Sequence, residues 1–112
     1  MVDDDSNNLS CMGTFLRCNG FEPLLASSGE EALETVFVHE RVDLVLMDVR
    51  MPGMGGLEAL RRLRTSGSEV PVILMSAYET PGEMEGASFF LEKPIEPDNL
   101  VGAISRGLKA GA

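Results

Sequence analysis

Four places in this sequence carry side chains able to do chemistry together, and each follows an apolar run. Asp3, Asp4 and Asp5 follow Met1-Val2, Asp48 follows the run from Val42 to Met47, Ser76 follows Val70 to Met75, and Lys93 closes the stretch that begins at Ser88. Several carboxylates brought close together repel one another and raise each other's pKa. A divalent cation relieves that repulsion, and hard oxygen donors with water completing the shell suit Mg²⁺ better than zinc. A Mg²⁺ flanked by a lysine and a hydroxyl is also a ready site for a phosphoryl group. The metal and Lys93 would offset charge on the transferring oxygens, so that catalysis is largely positioning and electrostatics. A carboxylate in such a place can itself be the nucleophile.

These residues meet only if the runs before them are neighbouring strands. Helical and strand periods alternate along the chain. Met1-Val2 reads as the tail of a first strand. Leu9, Met12 and Leu16 repeat at helical spacing, and Asn19-Gly20 ends that helix. Phe21 to Ala26 reads as a second strand, placed at an edge by Pro23, which lacks a backbone donor. Ser28 to Glu31 reads as a capping box opening a helix to about Glu40. Val42 to Met47 is apolar apart from Asp43, as in a central strand covered on both faces. A glycine-rich loop from Pro52 to Gly56 leads to a helix with Leu57, Leu60 and Leu63 inward. Val70 to Met75 is another buried strand, Ser88 to Leu91 a short last one. Pro97 suits the first turn of a closing helix that buries Leu100, Ile104 and Leu108.

A β-α unit repeated about five times predicts one α/β domain over residues 1–112, with a parallel sheet and helices on both faces. The expected fold is a flavodoxin-like, doubly wound five-stranded sheet of order 2-1-3-4-5. In that order the second strand lies at an edge, in agreement with Pro23. Ligands of such sheets sit outside the carboxyl ends of the strands, which is where the carboxylates, the hydroxyl and the ammonium fall.

Bulk properties narrow the partners. The chain has 112 residues, 44% of them apolar, enough to bury a core unaided. Its formal net charge of −9 leaves no electrostatic footprint for nucleic acid or an anionic membrane. The same charge also serves plain solubility. Cys11 and Cys18 lie seven residues apart in the first helix, roughly 10 Å along its axis, beyond the ~7 Å reach of a disulfide. Reduced thiols point to the cytoplasm. With a single histidine there is no zinc constellation. No apolar run reaches the ~20 residues of a membrane span, and no signal peptide is legible.

In order along the chain stand Val2-Asp3-Asp4-Asp5, Leu46-Met47-Asp48-Val49-Arg50-Met51-Pro52-Gly53-Met54, Met75-Ser76-Ala77 and Glu92-Lys93-Pro94. This set resembles the response-regulator receiver family over almost the whole chain. The resemblance implies that Asp48 is a phosphoacceptor charged by a sensor histidine kinase or phosphotransfer protein. It implies Mg²⁺ as cofactor, held by Asp3, Asp4, Asp48 and the backbone carbonyl of Arg50. Ser76 would hydrogen-bond the phosphoryl group, Ala77 would let its backbone approach, and Lys93 would pair with a phosphoryl oxygen. Ser76 and Phe90 would be the switch, Phe90 being the aromatic whose rotamer reports phosphorylation. The Lys93-Pro94 bond resembles one that is cis in the family. The family is not one of turnover enzymes, and the resemblance leaves room for a homodimer.

Three features depart from the family. The first strand is only Met1-Val2. The stretch from Ser76 to Lys93 is short and holds Pro81 and Gly82, so the fourth helix is expected to be stunted, displaced or absent. Gly55 stands where an Asp or Asn would cap the third helix. Arg50 and Tyr78 flank the site and would restrict the attacking water.

Each residue has a plainer role to set beside the chemical one. Asp48 could be a solvated strand-end carboxylate, Asp3 and Asp4 could cap a helix, Ser76 a turn, Lys93 the surface, and Phe90 the core. Asp5 or Ser6 is expected to take the cap of the first helix, and His39 to be a surface residue. Two other functions compete. A haloacid-dehalogenase-type phosphatase would use Asp3 as nucleophile but lacks an acidic pair after Lys93 and leaves Asp48 unexplained. A degenerate receiver would dock proteins without phosphorylation.

Overall fold

The computed structural model describes residues 1–38, 41–76, 87, 89–93 and 95–110. Among them, β1 (Val45–Asp48), β2 (Val72–Ser76) and β3 (Phe89–Glu92) form a parallel sheet in the order β1-β2-β3. Val45 stands opposite Val72, and Ile73 opposite Phe89. Val2 bridges in parallel both to Met47 of β1 and to Ala26. Across the sheet the order is therefore Ala26, Val2, β1, β2, β3, which is the predicted 2-1-3-4-5 order.

The first two members of that order, Ala26 and Val2, are single-residue bridges, not the strands predicted. Met1-Val2 is too short for a ladder, and Phe21 to Leu25 has little to pair with. The bridges are nevertheless fully tied. Val2 N donates to Leu46 O at 2.7 Å, Asp48 N to Val2 O at 3.0 Å, Asp3 N to Ala26 O at 3.1 Å, and Ala26 N to Met1 O at 3.0 Å. The Met1 ammonium donates to Leu24 O at 2.8 Å. β1 begins at Val45, three residues later than predicted. Beside residues 42–44 the first segment has already ended at Met1, and Pro71, opposite the residue before Val45, has no N–H to give.

Among the described residues four helices flank the sheet: α1 (Ser6–Cys18), α2 (Gly29–Val38), α3 (Gly56–Thr65) and α4 (Pro97–Ala110). Alternation along the strands divides the core in two. Val45, Met47, Val72 and Leu74 pack with Ala32 and Leu33 of α2 and Ala59, Leu60 and Leu63 of α3. Leu46, Ile73 and Met75 pack on the other face with Leu16 of α1 and Leu100, Ala103 and Ile104 of α4. The sheet is doubly wound, and its central strands are buried at every residue, as near-continuous apolar runs require.

Asp5 caps α1, its carboxylate accepting from Asn7 N and Asn8 N. Gly20, at φ 87°, lets the chain turn away after Asn19. At α2 the Ser28 hydroxyl accepts from Glu31 N at 3.1 Å, one half of the capping box. The other half differs, because the Glu31 carboxylate takes the Ser27 hydroxyl at 3.0 Å. Gly55 gives α3 no side-chain cap, as predicted. Leu57 is half-buried, and α3 turns Ala59 inward with Leu60 and Leu63.

Leu108 corrects another expectation: it is 36% exposed, while Leu100 and Ile104 are buried. It borders a hollow of about 530 Å³ together with Met1, Leu16, Phe21 and Leu44. An apolar residue on a helix is buried only where another element faces it, and here the hollow faces Leu108. Cys11 and Cys18 are exposed free thiols. No described helix is long and apolar enough to cross a membrane. His39, Tyr78 and the predicted fourth helix with Pro81 and Gly82 lie outside the described residues.

Candidate functional site

The strand register gathers the polar residues at one rim. Val2 sits between Ala26 and Met47, so the next residue on, Asp3, stands beside Asp48. Asp48 ends β1 and Ser76 ends β2. Lys93 follows β3 directly, and its N–H donates to Ser76 O at 2.9 Å. Among the described residues, Asp3, Asp48 and Ser76 are the polar side chains buried in the fold, at 2%, 5% and 2% exposure. A buried carboxylate is costly unless paired or hydrogen-bonded; Asp48 is paired with a lysine and Asp3 is hydrogen-bonded.

Asp48 is held at each oxygen. Lys93 Nζ lies 2.8 Å from Oδ2, and Arg50 N donates to Oδ1 at 3.3 Å. Asp3 Oδ1 accepts from Asp5 N at 3.0 Å, and Oδ2 takes the Asn8 side-chain amide at 3.4 Å. Asp3, Asp4 and Asp48 each bring one carboxylate oxygen within 4.8 Å of the others. Burial pushes the Asp48 carboxyl above its ordinary pKa, and the neighbouring Asp3 charge adds to this. The Lys93 ammonium and the Arg50 N–H oppose it without cancelling it.

The donor set fits Mg²⁺. It is made of hard carboxylate oxygens, two of them buried and the third, on Asp4, exposed. One side therefore stays open to water, which a Mg²⁺ keeps in part of its shell. Burial, with the Asp3 charge adding to it, disfavours the ionised Asp48 carboxyl, and a cation at this rim would favour it.

Behind the site the backbone is packed without room to spare. A Cβ at Gly56 would stand 2.4 Å from Asp48 O, and one at Gly55 would stand 2.8 Å from Val49 O. Gly56 N donates to Val49 O at 2.9 Å. The start of α3 is thus pressed against the strand end that presents Asp48, which only glycine permits.

Asp3, Asp4, Asp48 and Lys93 come together as the sequence suggests, with Ser76 joined to them through Lys93. Arg50 is exposed and touches Asp48 through its amide. Phe90 is half-buried against the core on the α2 and α3 side. Ala77 and Pro94, and with Pro94 the expected cis bond, lie outside the described residues. Sequence reasoning missed Asn8, which reaches Asp3 from the first turn of α1. The signal was available in its position three residues after the Asp5 cap, which turns it back over the strand end.

A family model, the response regulator receiver domain, matches residues 1–105. The transcriptional regulatory protein ZraR of Escherichia coli K12 is 40% identical over 96% of the chain, which corresponds to 25% of ZraR. The chain thus spans about a quarter of the length of that relative. A Francisella response regulator receiver domain superposes with a TM-score of 0.90 at 28% identity, covering 99% of this chain and 95% of that one. The response regulator TrrA of Thermotoga maritima, solved in complex with Mg²⁺-BeF, gives a TM-score of 0.87 at 31% identity, covering 96% and 95%.

Proposed function

Because the chain belongs to the response regulator receiver domain family, we propose that Asp48 accepts a phosphoryl group from a histidine kinase or a phosphotransfer protein. The observation that carries this is the Lys93 ammonium 2.8 Å from Asp48 Oδ2, beside three carboxylate oxygens within 4.8 Å of one another. Asp3, Asp4, Asp48 and the Arg50 carbonyl would hold Mg²⁺, which when bound offsets charge on the phosphoryl oxygens.

A carboxylate oxygen of Asp48 forms the new bond to phosphorus as the bond to the donor breaks. Lys93 transfers its ammonium from the free carboxylate to a phosphoryl oxygen, so the pair seen here is the resting arrangement. Ser76, buried at the end of β2, donates its hydroxyl to the same group. Phosphorylation adds roughly −1.5 to −2 charge. Drawing Ser76 inward opens space that Phe90 can fill, which couples the site to the surface near β3. The cycle ends by hydrolysis at Asp48, so the domain acts on itself and is not a turnover enzyme. We place it in the cytoplasm, where its free thiols stay reduced. The output belongs to whatever this surface contacts, a second copy included.

The phosphatase alternative needs Asp3 as nucleophile. Asp3 is instead engaged by Asp5 N and Asn8, while the ammonium sits on Asp48.

The test is incubation with Mg²⁺ and acetyl phosphate, or its beryllofluoride mimic, followed by mass measurement and mapping. One added phosphoryl group on Asp48, lost in Asp48→Asn and without Mg²⁺, is the expected result. No modification and no Mg²⁺ binding would replace this reading with the protein-docking module.

A further inference from the structure

One contact joins the loop that leaves Asp48 to the start of α2. Met54 N donates to Oε1 of Glu30 at 3.2 Å, across 24 residues of sequence. Glu30 is the second residue of α2, and Met54 lies between β1 and α3. The loop and the helix are shaped for this contact. Gly53 takes φ 75°, and a Cβ there would lie 3.4 Å from Oε2 of Glu30. Gly29, buried beside Glu30, comes so close that its Cβ would stand 2.5 Å from Met54 O. Gly29 lets the two backbones approach, Gly53 permits the positive φ of the turn, and the carboxylate closes the contact. Glu30 is itself steadied in the first turn of α2, where the helix dipole favours a negative side chain.

Two backbone ties of this loop run to its own ends: Arg50 N is on Asp48 Oδ1, and Gly56 N is on Val49 O. Between them the buried Met51 side chain packs in the core, and the Glu30 contact adds a hydrogen bond from Met54 to α2.

We infer that Glu30 is a positioning residue for the cation: by holding Met54 it sets where the backbone from Arg50 to Gly53 stands relative to Asp48. This rests on the metal-dependent reading above. The cation takes part of its shell from this backbone, so a looser loop must be ordered when Mg²⁺ binds, and affinity falls by that cost. Glu30 touches neither cation nor phosphoryl group, so the rate once Mg²⁺ is bound stays unchanged.

Glu30→Ala and Glu30→Gln separate this from simpler causes. Glu30 is exposed, so both variants fold. In metal-free protein the Met54 amide of Glu30→Ala should exchange faster with solvent, while Glu30→Gln, which keeps an acceptor, retains protection. In a titration with Mg²⁺ alone, Glu30→Ala should bind about three- to tenfold more weakly, as for a charged hydrogen bond near solvent. Glu30→Gln should stay near wild type. With acetyl phosphate, Glu30→Ala should be slow at limiting Mg²⁺ and normal at saturating Mg²⁺. Wild-type affinity in Glu30→Ala overturns the inference. Equal weakening in both variants overturns it too, since the carboxylate would then act only through its charge. Failure of the wild type to bind Mg²⁺ would remove the metal-dependent reading itself, and this role with it. The exchange result shows whether the contact exists in either case.

Discussion

The ammonium of Lys93 rests 2.8 Å from Oδ2 of Asp48, joining the residue after β3 to the last residue of β1 across the end of β2. Forty-five residues separate the two in sequence. Parallel pairing in register brings them together, because each strand ends on the same rim.

Lys93→Ala removes the counter-charge from a carboxylate that is 7% exposed. Phosphorylation of Asp48 by acetyl phosphate is expected to slow by about 10²-fold or more, as when a preorganised charge partner is lost from a reacting centre. Lys93 itself is 31% exposed, so solvent screens the pair and the stability loss should be modest, about 1–2 kcal/mol. Denaturant unfolding and the phosphorylation rate read the two effects separately. An unchanged rate would remove Lys93 from the chemistry.

Asp48 is a group whose folded pKa is raised, chiefly by burial. Its contribution to stability is fully present below the unfolded value of 3.8 and is lost as pH rises through the folded pKa. At neutral pH, without Mg²⁺, the ionised carboxylate therefore costs stability. Asp48→Asn should unfold at a higher temperature than wild type at pH 7, and the gap should close as pH falls toward 3.8. A gap that stays constant with pH would contradict the sign of the shift.

Gly56→Ala places a methyl group 2.4 Å from the carbonyl oxygen of Asp48, so backbone must move. The expected cost is about 1–3 kcal/mol. Because the displaced atom belongs to Asp48, Mg²⁺ affinity should fall as well. Thermal unfolding and a Mg²⁺ titration check both, and a variant that matches wild type in each would show that the contact yields freely.

Leu100 and Leu108 share a helix but should differ in weight. Leu100 is fully buried against Ile73 and Met75, so Leu100→Ala is expected to cost about 2–5 kcal/mol. Leu108 is 36% exposed beside the hollow near Met1, and Leu108→Ala should cost no more than about 0.5–1 kcal/mol. Equal losses in urea unfolding would mean that the hollow closes around Leu108 in solution.

The residues of the candidate site were legible because their types are unusual for their places. A carboxylate, a hydroxyl or a lysine straight after a buried apolar run needs a reason, and four such places in order imply one rim. The doubly wound sheet was legible from alternating periods, and the edge position of the Pro23 segment from its missing donor. The residues that steady the site were not. Asn8 and Glu30 are ordinary surface types on helices, with no run or motif to single them out. Asn8 matters because the Asp5 cap turns it toward Asp3, and Glu30 because Gly29 lets α2 lie against a distant loop.

Sequence by itself determined which side chains could meet a phosphoryl group, and the alternation of strands and helices that delivers them, since periodicity and strand-end placement are local properties. Tertiary structure decided what depends on neighbours. It reduced the first two predicted strands to single-residue bridges, because a ladder needs a partner in register along its length. It left Leu108 36% exposed, because burial requires an opposing surface, which the period along one helix does not record. It put Lys93 on Asp48, because a charge pair is settled by distance through space, which no local pattern records.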